Sequence, residues 1–224
     1  MRAVTAMAAL LAAQMLLPCV ASAQRDCDGT GICRSFIPGE NLPTIQAQQT
    51  FVWCWAATTQ ALFRYYGYDV SQQEIVARAF GTITVSTASP ATMLRILNSN
   101  YTAADGRHFS VRTSRHFDSM SWLIGDPTTA SLQTGLTSPE IFESLANERP
   151  VFYGDLNHAM LLVGAVHQGP VPLWGQSWVL DPTPVSPFPP GPITMPGGRA
   201  VGLRALQPVE MNAFFAALVQ VSPM

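Results

Sequence analysis

The sequence predicts an α+β fold with a helical first half and a sheet-rich second half. Two observations carry this. Residues 48–67 read QQTFVWCWAATTQALFRYYG, and apolar residues at Cys54, Ala57, Ala61, Leu62 and Tyr65 recur at the spacing of one buried helical face. From Val151 onward the pattern changes to short β-rich runs at 151–153, 158–166 and 177–180. With 224 residues, 48% of them hydrophobic, the chain is long enough for one domain with a sizeable core.

Residues 1–23 read as a signal peptide. Arg2 supplies a positive start, 3–17 are apolar, and Ala21-Ser22-Ala23 fits a small-residue cleavage site. Three cysteines remain after it. Cys27 and Cys33 flank the loop DGTGI and are expected to pair in an oxidising compartment, periplasmic or extracellular, which leaves Cys54 as the free thiol. Residues 24–47 carry Pro38, Gly39 and Pro43, so an extended N-terminal arm is expected there within the domain 24–224.

After the Cys54 helix, which Gly67 ends, Ser71-Gln72-Gln73-Glu74 has the form of a capping box and starts a helix through Phe80 that Gly81 stops. Ser89-Pro90 starts a third helix over 91–99. Between 101 and 135 the signal is weak, with a strand expected near 110–115 and a helix near 120–124. Thr137-Ser138-Pro139-Glu140 starts a further helix, closed by Arg149-Pro150. Residues 182–198 hold seven prolines, too many for regular structure, and form a Pro-rich surface loop. A strand over 199–206 and a helix over 209–219 complete the chain.

Composition narrows the function. Charged residues are 12%, the net charge is -2, and every basic side chain is an arginine with no basic run. Nucleic acid is therefore not an expected partner. No stable membrane insertion is expected, because the apolar run at 3–17 is short for a membrane span and polar residues follow it. No Cys or His stands at metal-ligand spacing near Cys54, so no metal and no cofactor are implied. A monomer is expected.

The chemistry starts from Cys54. In the first turn of a helix a thiol meets unsatisfied N–H groups and the positive end of the dipole, which favour a nucleophilic thiolate. Such a nucleophile needs a base. Of His108, His116, His158 and His167, only His158 opens an apolar strand, NHAMLLVGAV. Asp181 ends the neighbouring strand WVLDP and is placed to orient the imidazole. Gln48, six residues before Cys54, offers an amide to an oxyanion. Each residue also has a bland reading: a packed core cysteine, an edge histidine, a turn aspartate, a solvated glutamine with Gln46 and Gln49 as rivals. Their joint occurrence, in order and on suitable elements, favours the chemical reading.

Gln48 followed by Cys54-Trp55-Ala56-Ala57, and later His158-Ala159 leading a strand that reaches Val163-Gly164, resemble the papain-like cysteine peptidases. The Asp181-Pro182 pair is more similar to bacterial members: effector proteases, staphopains and bacteriocin-leader-processing peptidases. The resemblance covers roughly residues 45–81 and 150–182. It implies a papain-like α+β fold, with the Cys54 helix in an N-terminal helical half packed on a C-terminal antiparallel sheet. It implies peptide or protein substrates and a thiol peptidase with Cys54 as nucleophile, His158 as base and acid, Asp181 as orienting group and Gln48 in the oxyanion hole. Papain-like folds also host amidases and acyltransferases, here on a cell-wall or small peptide substrate, and a catalytically silent binding module is a third class.

Overall fold

A computed structural model describes residues 25–119, 138–183 and 202–224. The signal segment, the expected helix at 120–124 and most of the Pro-rich loop lie outside the described residues. The architecture is α+β, as the sequence predicts: helices packed on one antiparallel sheet. In chain order the elements are β1 (Arg25–Cys27), β2 (Ile32–Phe36), α1 (Cys54–Tyr65), α2 (Gln72–Phe80), α3 (Pro90–Ile96), β3 (Asn100–Thr102), β4 (His108–Asp118), α4 (Pro139–Ala146), β5 (Val151–Gly154), β6 (Ala159–Gln168), β7 (Val171–Leu180), β8 (Leu203–Ala205) and β9 (Phe215–Pro223).

The main path of the sheet runs β1-β2-β6-β5-β9-β4-β3, and β7 joins the other edge of β6 and carries β8. All pairings are antiparallel. Strand β6 is the hub. Its first half pairs with β5, its second half with β2, and β7 lies along its far side. Alternate residues of the central strands feed two cores. Phe152, Leu161, Val163, Phe215 and Ala217 face α1, α2 and α3. Val151, Tyr153, Met160, Leu162, Ala216 and Leu218 face Ile141, Phe142 and Leu145 of α4. Helices thus cover both faces of β6, which explains its unbroken apolar run.

Local signals place the helix ends. Ser71 and Glu74 form the expected capping box of α2, and Gly81 closes it at φ 77°. Ser89 Oγ accepts from Thr92 N at the start of α3, with Pro90 at its first position. Gly67 takes φ 82° just after α1.

Two expectations are corrected. Residues 24–47 are not a simple extended arm: β1 and β2 form a hairpin, bridged by a Cys27–Cys33 disulfide, and β2 pairs with β6. The second correction concerns the carboxy-terminal segment. The expected helix over 209–219 is instead a 3-10 turn, Pro208–Glu210, followed by β9. The Ala-Ala-Leu-Val stretch has helical propensity, but β5 and β4 offer it a bonded partner on each edge, and packing overrides propensity. The sheet also reaches back along the chain, since β1 to β4 belong to it, and β4 covers the strand expected near 110–115. Strand β7 also begins earlier than the 177–180 run, after a turn at Gly169.

Candidate active site

Cys54 is the first residue of α1, a free and half-buried thiol. The residue before it, Trp53, gives no side-chain cap, so the N–H groups of the first turn keep no side-chain acceptor from that position. The flanking indoles are buried and serve as anchors. Trp53 Nε1 donates to Thr84 O at 2.9 Å and Trp55 Nε1 to Ser86 O at 3.2 Å, which fixes the segment after α2 against the start of α1. One turn along, Thr58 Oγ1 donates to Ala159 O at 3.0 Å. That bond ties the cysteine helix to the residue next to His158.

Gln48 stands in a segment gripped from two sides. Buried Gln72 of α2 takes the N–H of Gln49 on its Oε1 at 3.0 Å and donates from Nε2 to Ala47 O at 2.9 Å. The Gln72 amide is itself held by Gln60 of α1 at 3.2 Å. Gln48 N donates to Pro182 O at 2.8 Å, which brings the loop to the residue after Asp181. Among the described residues, Gln48 Oε1 is buried with no hydrogen-bond partner. A buried polar atom left open in this way is uncommon.

His158 lies immediately before β6. Asp155 Oδ1 accepts the N–H groups of Asn157 and His158 at 2.7 Å each, and Asp155 N donates to His158 O at 3.0 Å. This turn presents the imidazole toward α1, where the Cys54 side chain acts on it and helps to raise its pKa. On its other side, Nε2 meets Asp181 Oδ1 at 2.7 Å and Thr183 Oγ1 at 3.2 Å. With Nε2 so occupied, Nδ1 is the ring nitrogen left for the sulfur. Burial works against a charged ring, yet the hydrogen bonds and charges of Asp181 and Cys54 outweigh it and push the His158 pKa up to about 10.

Asp181 follows the last residue of β7 and is buried. Its Oδ1 also accepts Thr183 N at 2.8 Å, and its Oδ2 accepts Arg204 Nε at 2.6 Å. Burial alone would raise its pKa; the bonds from His158 and Thr183 prevail and hold the carboxyl far below the usual carboxylate range. Behind it, Arg204 of β8 makes a two-pronged contact with Glu210, each prong 2.6 Å. Gly202 lets β8 come this close. Its φ is +78°, and a Cβ there would stand 2.6 Å from Asp181 O.

Of the four residues singled out in the sequence, His158 and Asp181 are in direct contact, Cys54 acts on His158, and the Gln48 backbone is bonded to Pro182, next to Asp181. Sequence reasoning missed Thr183, Gln72, Arg204 and Glu210. Two faint signals pointed to the last pair. Arg204 interrupts an apolar run, and Glu210 stands three residues after Gln207, whose N–H its carboxylate accepts at 2.8 Å. Among the described residues no group of three or more His, Cys, Asp or Glu side chains is placed to hold a metal ion. None of the described helices is long and apolar enough to cross a membrane.

A scan against protein-family models finds no match, and a search of curated proteins finds none either. Among solved structures the chain is similar to the peptidase domain of Streptococcus ComA, a bi-functional ABC transporter involved in a quorum-sensing pathway. The identity is 12% and the TM-score 0.42, over 81% of this chain and 98% of that one. A likeness this distant carries no weight for function, which rests on the chain's own geometry.

Proposed function

We propose that the chain is an exported, papain-like thiol hydrolase that cleaves peptide bonds through an acyl-enzyme on Cys54. In this reading His158 Nδ1 takes the Cys54 proton, and the thiolate sulfur attacks the carbonyl carbon. The carbonyl oxygen gains the negative charge and is met by the Cys54 N–H and the Gln48 amide. As the tetrahedral adduct collapses, the C–N bond breaks and His158 returns the proton to the leaving amine. Water then attacks the thioester with His158 as base, releasing the acid and the free thiol. Asp181 keeps the ring aimed and stabilises its charged form.

One observation supports this above the rest: the imidazole on which the helix-start Cys54 acts has its Nε2 2.7 Å from a buried carboxylate. A core cysteine has no use for that chain of partners. The Cys27–Cys33 disulfide suits an oxidising compartment and supports export.

The test uses a peptidyl epoxide and a broad peptide library. The wild-type chain is expected to form one covalent adduct, located on Cys54 by mass spectrometry, and to cleave library peptides. Cys54→Ala is expected to lose the adduct and at least about a thousandfold in turnover. A well-folded wild-type chain that forms no adduct and cuts nothing would overturn the reading. Export is tested separately, since a secreted chain should begin at Gln24; a product retaining Met1 rejects the signal peptide.

A further inference from the structure

The site does not end at Asp181. Its Oδ2 takes Arg204 Nε at 2.6 Å, and Arg204 Nη1 and Nη2 reach Glu210 Oε2 and Oε1 at 2.6 Å each. Arg204 Nη1 also donates to Ala205 O at 3.1 Å, and Nη2 lies 3.0 Å from Met160 Sδ. Glu210 Oε2 accepts Gln207 N, and the Tyr153 hydroxyl donates to Glu210 O at 2.5 Å. The Asp181, Arg204 and Glu210 side chains are exposed by only 3%, 3% and 8%. From a protonated His158 outward, the charges alternate: plus, minus, plus, minus.

We propose that Arg204 and Glu210 are positioning residues that fix the aim and the effective charge of Asp181, and through it the His158 ring beside Cys54. Its consequence for turnover rests on the thiol-hydrolase reading; the coupling itself does not.

Two physical arguments carry it. The first is geometric. Asp181 is held on Oδ1 by His158 and Thr183 and on Oδ2 by Arg204, so the carboxylate cannot turn about its bond to the chain. The second is electrostatic. Arg204 alone would draw the Asp181 charge away from the ring. Glu210 cancels that pull and returns the carboxylate to His158 as a full anion. A buried ion pair is weak evidence for a stabilising purpose, because an apolar pair of similar volume serves stability as well. Charges retained directly behind the orienting carboxylate are better explained by what they do to it. Among the described residues, the other groups facing His158 are Cys54, Thr183 and Asp155, the last through the backbone N–H.

The test compares Glu210→Gln with wild type. The amide keeps the shape and takes the Glu210 anion away from Arg204. The readout is the pH profile of Cys54 alkylation by iodoacetamide, with the His158 ring followed by NMR. Loss of the proton from His158 is expected to move down by about one pH unit, since removing one charge at this range counts for that much. The double variant Arg204→Gln/Glu210→Gln removes both charges. It should return the profile toward wild type while lowering kcat for peptide cleavage about tenfold at unchanged KM, because the carboxylate is no longer held from behind. A Glu210→Gln chain that melts earlier but titrates within 0.2 units of wild type, a threshold set well below the expected ~1 unit shift, would overturn the proposal. If that variant does not fold, the double variant decides, and an unchanged kcat overturns it. Alkylation needs no substrate, so a wild-type chain that cuts no peptide yet shows the shift would sink the hydrolase reading and keep this one.

Discussion

On the Cys54 side of the site, the groups that hold the backbone in place are neutral. Gln72, Gln60, Thr58 and two indoles do it, each by hydrogen bonds to main-chain atoms or to one another. On the His158 side the work falls to charges: Asp181 between an imidazole and a guanidinium, with Glu210 behind. The difference follows from what each side carries. A nucleophile on a helix start needs a fixed backbone, and amides and hydroxyls provide that with little field of their own. An imidazole that must become an imidazolium needs a counter-charge, and a buried carboxylate in turn needs donors on both its oxygens.

The comparison can be broken most severely at Arg204. Arg204→Met strands Asp181 and Glu210 as buried carboxylates with no guanidinium, and should cost about 3–5 kcal/mol of stability. Urea unfolding measures it, and a loss under about 1 kcal/mol would mean that the charged side is no more demanding than the neutral one.

A second break is made with pH. The His158 pKa is higher folded than unfolded, so its contribution is complete below about 6.5 and fades as pH rises toward 10. The Asp181 pKa is lower folded than unfolded, so its contribution is complete above about 4 and fades in acid. Stability should therefore be flat near pH 4–6.5 and fall above it by up to ~1.4 kcal/mol per unit. In a His158→Asn chain the alkaline fall should vanish; its persistence would place the charge elsewhere.

On the neutral side the effects are smaller. Gln72→Leu leaves Ala47 O and Gln49 N without their partner and should cost about 1–3 kcal/mol, with a loss of kcat from the Gln48 loop. Thermal melts and peptide turnover report both, and unaltered turnover would remove that loop from the chemistry. Thr58→Val is the mildest, at about 1 kcal/mol, because it deletes a single bond between α1 and β6. A loss as large as that of Arg204→Met would erase the contrast between the two sides.

Legibility in the sequence follows the same divide. The helix side is written locally. Ser71 with Glu74, Ser89-Pro90 and Gly67 each specify an end within four residues, and the structure has those ends. The apolar run after His158 marked a strand buried on both faces, as β6 is. What the sequence did not reveal depends on long reach. Gln72 acts 23 residues from Gln49, and Arg204 stands 23 residues from Asp181, so nothing in their immediate neighbours announces the role. Strand β9 was misread for the same reason, since its partners are β5 and β4 and its own residues suit a helix. The β1–β2 hairpin was hidden by its shortness, with three residues in the first strand.

The position of β9 has a consequence for biogenesis. Residues 215–223 leave the ribosome after all the other strands, yet they fill the slot between β5 and β4. Until they arrive, β5 carries an open edge, and the turn from Gly154 to His158 lacks the bond that Phe214 N gives to Gly154 O at 2.8 Å. The nascent polypeptide thus holds its thiol and its imidazole in an unfinished frame, and a chain that stops short of Phe215 would be expected to expose sticky strand edges in place of a working cleft.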